Sequence, residues 1–176
     1  MTKNLLAILL ISVMFIACSN ENKPKENEKS KTENVKEIPI IDIGDFDSKA
    51  GDYVGKEVKV SGIVDHVCKH GGKKILLVSD KGDVHINADK RFDENLVGKD
   101  ITVTGIVKEF RVDESYCLKM EKDNMKSHKE GKSEQDIYNR KMKQIKFYRD
   151  SMKKANLDHL SFYSLEFVSL KENKNK

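Results

Sequence analysis

Three residues able to bind a metal ion alternate along one short stretch, His66, Cys68 and His70, and Gly71-Gly72 follow directly. On an extended strand, residues two apart project to the same side, so the three would stand together. Imidazole and thiolate together suit zinc or a copper ion. One strand cannot close a tetrahedron alone, because neighbours at i and i+2 lie roughly 6.5 Å apart. A turn at Gly71-Gly72 has to curl the ligands inward, and Cys117, Met120, His85 or His128 has to supply a fourth. Two other readings stay open. Cys68 can pair with Cys117 in a disulfide, or the stretch can simply shape a strand end with Cys68 as a small hydrophobe. The chain holds no Cys-x-x-Cys pair, which is the stronger zinc signature.

Catalysis has less support. There is no Gly-x-Ser-x-Gly, no His-Glu-x-x-His and no P-loop. Asp65 beside His66 is a neighbouring pair, not a triad, so no enzyme activity is expected.

The stretch needs elements to hold it. Val54 opens VGKEVKVSGIVDHV, a near-alternating strand with Gly62 as a bulge or bend. Lys74 to Ser79 is a second strand, Asp80-Lys81-Gly82-Asp83 a hairpin turn, and Val84-His85-Ile86 the start of a third. Asp89 to Leu96 reads as a short helix or helical turn. From Val97, VGKDITVTGIV repeats the opening pattern at an offset of 43 residues. Both copies fit long, glycine-kinked strands of one small barrel. Residues 38–47 are an apolar lead-in. Met120 to Ser133 reads as a polar loop. Ser133 to Asp136 reads as a capping box opening an amphipathic helix over 134–155, with Tyr138, Met142, Ile145, Tyr148 and Met152 on its inner face. Leu160 to Leu170 is aromatic and alternating, a final strand.

At the N-terminus, Leu5 to Ala17 is an apolar run of 13 residues, too short for a comfortable membrane span. It ends in Phe15-Ile16-Ala17-Cys18, which resembles a bacterial lipoprotein box. That resemblance implies a signal peptide over 1–17, cleavage before Cys18, and acylation of Cys18, including palmitate. Residues 19–37 hold five Lys and five Glu, with no aliphatic or aromatic residue before Val35, and read with Cys18 as a disordered tether over 18–37. Residues 38–170 then form one domain, and 171–176 a disordered tail.

A kinked strand, a hairpin, a connector, a second kinked strand and a late strand resemble the OB-fold, a five-stranded, mainly β barrel. The fifth strand comes either from a segment near Cys117 or from residues 160–170, which are preferred as longer and more apolar, with the helix packed on the barrel. VGKEVKVSGIVDHVCKHGGKKILLVSD followed by LVGKDITVTGIVKE is similar to small envelope lipoproteins of bacteria whose OB-fold is related to anticodon-binding domains. The resemblance implies an extracytoplasmic location and a binding or assembly module, with an envelope protein as a partner. Ser19 after the lipidated cysteine favours the outer membrane by the same resemblance. A zinc or copper protein using His66, Cys68 and His70 is the alternative. Nucleic acid and oligosaccharide stand lower. Residues 38–118 carry 12 basic and 15 acidic residues, whereas 119–156 carry 12 and 6, so the positive charge sits in the helical part.

Overall fold

The two copies of the Val-Gly-Lys pattern become the two long strands that frame the molecule. The computed structural model describes residues 37–173. Its strands are β1 (Glu57–Val67), β2 (Lys74–Ser79), β3 (Gly82–Asn87), β4 (Asp100–Asp113) and β5 (His159–Glu172). They close a barrel in the order β1-β2-β3-β5-β4. Every pairing is antiparallel except β3 with β5, where Ile86 and Asn87 run parallel to Leu165 and Glu166. This strand order is that of the OB-fold. The expected fifth strand is β5, and it runs on through Lys171 and Glu172, which the sequence reading assigned to the tail.

Alternation decides which side chains go inside. Val58, Val60, Val64, Ile75, Leu77, Ile86, Ile101, Val103, Val107 and Leu165 fill the barrel and expose nothing. Each contributes roughly 1.5–3 kcal/mol by leaving water. The repeated segments are antiparallel partners, from Glu57↔Ile106 to Ile63↔Asp100, and their midpoint is Val60↔Val103. Gly62 and Gly105 are sites of close approach. A Cβ on Gly62 would stand 2.5 Å from Ile43 Cδ1, and one on Gly105 would stand 2.9 Å from the Glu166 carbonyl oxygen. The β1 bulge falls at Asp65 rather than Gly62, while β4 is irregular against β5 at Gly105.

Both barrel ends are plugged. The lead-in is extended only at first, where Lys59 donates to the Pro39 carbonyl and Ile41 to that of Lys59. It then coils through a 3-10 turn (Ile43–Asp45), a short helix α1 (Phe46–Lys49) and a second turn (Ala50–Tyr53). Ile41, Ile43, Phe46 and Ala50 are all buried there. At the other end of β2, Phe92 and Leu96 close the barrel. The helix expected over Asp89–Leu96 is only a 3-10 turn, Glu94–Leu96, capped by the Asp93 carboxylate.

The largest departure lies between β4 and β5. The polar loop expected over Met120–Ser133 is mostly a helix, α2 (Glu114–Lys129), which forms a hairpin with α3 (Gln135–Ala155). Asp113 caps α2 by accepting from the Tyr116 amide at 2.8 Å. The apolar period of α2 is broken at Asn124, a buried position filled by an amide that donates to the Tyr138 carbonyl at 3.0 Å. That substitution hid the helix from a hydrophobicity reading. The capping box is not made either. Glu134 occupies the cap of α3 with no side-chain bond, and the Ser133 hydroxyl has no partner among the described residues. Val112, Cys117, Ile145 and Met152, with Leu160 against them, form a second core that joins the hairpin to the outer β4–β5 ribbon. No helix among the described residues is long and apolar enough to cross a membrane.

Candidate functional site

A groove runs from the β1–β2 turn, past the end of β3, to the outer side of β5. Its first depression is bounded by Cys68, His70, Lys73 and Asn87. Its last, of about 350 Å³, is bounded by Asn87, Lys108, Ser164 and Phe167. A smaller one lies against Arg91 and Phe92 and shares Ala88, Asp89 and Phe167 with the last. Backbone bonds hold its walls: Phe92 donates to the Gly72 carbonyl at 2.7 Å and Ala88 to that of Lys73 at 2.8 Å. Asn87 spans β3 and β5 by donating to the Ser164 hydroxyl at 3.3 Å. Lys73, Lys74, Lys90, Arg91 and Lys108 line the three depressions, against two carboxylates, Asp89 and Glu166. Glu166 is paired with Lys108 at 2.6 Å.

Beyond Lys108 and Ser164, one alternation further along the same face, Phe110 and Phe162 are direct cross-strand partners. They are 49% and 44% exposed. Tyr116 meets Phe110 edge-on at 5.0 Å, Tyr148 meets Phe162 at 6.0 Å, and Phe147 extends the row. Tyr148 is held in place by Gln144, which donates to its hydroxyl at 2.7 Å. The result is a shelf of aromatic faces where the groove meets the helical hairpin. Such a shelf stacks flat rings with little regard to their identity. Only the barrel register sets Phe110 and Phe162, far apart in sequence, side by side.

The alternating triplet does not converge. The bulge at Asp65 shifts the phase of β1, so Val67 turns inward and His66 outward. His66 bonds Asp65 through Nδ1 at 2.7 Å and lies in a row with Leu76 and His85 on the outer face. β1 ends at Val67, and Cys68 begins a turn in which its carbonyl accepts from Gly72 at 2.8 Å. Cys68 and His70 therefore share the groove mouth while His66 does not. Among the described residues, no group of three or more His, Cys, Asp or Glu is placed to hold a metal ion. Cys68, half-buried, and Cys117, fully buried, are both free thiols, and the disulfide is not formed. Burial, and secondarily the Glu114 carboxylate, push the Cys117 thiol above its ordinary value. Cys18 lies outside the described residues.

No family model matches the chain, and no curated protein matches it. Among solved structures, replication protein A of U. maydis bound to ssDNA is 31% identical over 39% of this chain and 57% of that one, with a TM-score of 0.29. A Leishmania major protein assigned as an aspartyl-tRNA synthetase is 14% identical over 46% of this chain and 18% of that one, with a TM-score of 0.31. Both matches thus span less than two thirds of the compared chains. The class is set by the strand order itself: an OB-fold barrel. Its departure from a bare barrel is the helical hairpin carried between β4 and β5.

Proposed function

We propose that the chain is a lipid-anchored binding module of the bacterial envelope that holds an extended, anionic polymer in the β3–β5 groove. One observation carries the ligand reading. Five cations line the groove although residues 38–118, which make up most of the barrel, carry more acidic than basic residues. Positive charge concentrated in a concave strip raises the local concentration of an anionic ligand. The Phe110–Phe162 shelf then offers its rings a stacking surface. The anchor reading is supported by the Phe15-Ile16-Ala17-Cys18 box and the charged stretch after it.

Two experiments test this. The chain from Ser19 onward is titrated with a sulfated oligosaccharide and, separately, with a single-stranded oligonucleotide. A Lys73→Gln, Arg91→Gln, Lys108→Gln triple variant should bind either polyanion at least about tenfold more weakly, as three lost charge contacts require. No binding of either probe, or binding indifferent to the triple variant, overturns the groove reading. For the anchor, radiolabelled palmitate should enter the wild-type chain and not Cys18→Ser. Label in both, or in neither, removes it.

A further inference from the structure

The outer face of α2 combines exposed apolar side chains with lysines. Leu118, Lys122, Met125 and Lys129 follow one another at the i, i+4, i+7, i+11 spacing that aligns them on one side of a helix. Leu118 and Met125 are each 55% exposed. Two of the three acidic residues of α2, Glu114 and Glu121, are engaged by Arg149 at 2.7 and 3.0 Å, while Asp123 stays exposed. Lys122 and Lys129 make no ion pair among the described residues, and Lys126 reaches Glu130 only at 3.9 Å. A broad open cleft at the hairpin tip lies against Met125, Lys126, His128 and Tyr138, with Asp123 the one carboxylate on its rim.

Two exposed apolar side chains between lysines, of which Lys122 and Lys129 have no ion partner among the described residues, match a surface that is at once anionic and apolar beneath. A lipid headgroup layer has that composition. We propose that this face of α2 docks on an anionic bilayer, with Leu118 and Met125 at the headgroup boundary and Lys122, Lys126 and Lys129 on lipid phosphates. The site is separate from the groove. The acyl anchor proposed above would keep the domain beside a membrane. The docking contacts do not require the anchor, and the test omits it.

The chain from Ser19 onward, which keeps every described residue, is sedimented with vesicles of phosphatidylcholine alone and of phosphatidylcholine with an equal part of phosphatidylglycerol. It should pellet with the second and not the first. A Leu118→Ser, Met125→Ser variant should lose about tenfold in partitioning, and Lys122→Gln, Lys126→Gln, Lys129→Gln roughly a hundredfold. Because these side chains are exposed, both variants should keep the wild-type Tm. Both should also keep full affinity for the polyanion probes, which separates this result from that of the groove. Three outcomes overturn docking: no pelleting with anionic vesicles, pelleting equal on both vesicle types, or pelleting that neither variant weakens. A concentration-dependent dimer abolished by Leu118→Ser, Met125→Ser would assign the face to a second copy and overturn it as well.

Discussion

The backbone N–H of Gly98 donates to the carbonyl of Val64 at 2.8 Å, and the Val64 N–H answers with a bond to the Lys99 carbonyl at 3.0 Å. The other copy of the repeat makes the same clasp. Gly55 donates to Val107 at 2.9 Å, and Val107 to Lys56 at 3.0 Å. In each copy the Val-Gly-Lys turn grips the end of the other copy's Gly-Ile-Val strand. Both turn glycines need a left-handed backbone, with φ of 81° and 78°. Gly98→Ala and Gly55→Ala should each cost about 1–2 kcal/mol, read as a shift in denaturation midpoint. Equal losses would show that the two clasps share the load. No loss at either would mean that the turns relax freely.

Gly105→Val should cost more than either. Its Cβ would meet the Glu166 carbonyl oxygen and the Leu165 Cβ, both at 2.9 Å, and backbone cannot rotate away as a side chain can. Roughly 1–3 kcal/mol is expected from such overpacking, with the β4–β5 amides losing exchange protection first.

Arg149 ties the helical hairpin together by donating from Nε and Nη2 to the Glu114 carboxylate and from Nη2 to Glu121. Arg149→Leu should lower the denaturation midpoint of the hairpin, because the two carboxylates lose their shared partner. Arg149→Lys should not restore it, because an ammonium cannot bind Glu114 in two parallel bonds. The second core shares no buried residue with the barrel. Hydrogen exchange should therefore accelerate in α2 and α3 and stay unchanged in β1–β3. Uniform acceleration would mean that the two cores unfold as one.

Asp113 gives the hairpin an acid sensitivity. The Tyr116 amide and then the Ser115 hydroxyl hold its carboxyl below the usual carboxylate value. Its folded value is thus the lower one, so its stabilisation is present above the ordinary carboxylate range and fades as pH falls through the depressed value. Asp113→Asn keeps an acceptor at the cap. It should flatten the pH dependence of hairpin stability on the acid side while changing little at neutral pH. A variant with the wild-type acid profile would shift the sensitivity to another group.

The two thiols should differ sharply. A disulfide-exchange reagent should modify Cys68 in the native chain and reach Cys117 only on unfolding, since the latter is wholly enclosed. Two fast thiols would mean that the second core opens readily. No fast thiol would place Cys68 deeper than the groove mouth.

The barrel was legible because its signals are short-range and redundant: alternation in Val58, Val60 and Val64, a turn at Gly82, and a repeat whose two copies proved to be partners. The same reasoning stopped at α2, where one buried asparagine, Asn124, interrupts the apolar period and no cap motif precedes the helix except Asp113 at a strand end. His66, Cys68 and His70 misled for a related reason. Side-chain alternation holds only while a strand continues, and β1 ends at Val67, so Cys68 and His70 lie in the turn that follows. The groove could not be read at all, because it gathers Lys73 and Arg91 from two separate connections and Lys108 from β4, with Phe162 of β5 on the adjoining shelf.

Asp113 and His159 are paired neighbours, although the whole hairpin lies between them in sequence. The insertion therefore leaves and re-enters the barrel through one narrow neck. A chain with a two-residue turn in place of residues 114–158 would lose the hairpin and uncover Val112 and Leu160, yet interrupt no strand of the barrel. Conversely, the neck can accept a different insertion without altering the groove. The architecture separates a constant socket from an exchangeable attachment, and the two meet only at the shelf, where Tyr116 and Tyr148 of the hairpin pack on Phe110 and Phe162.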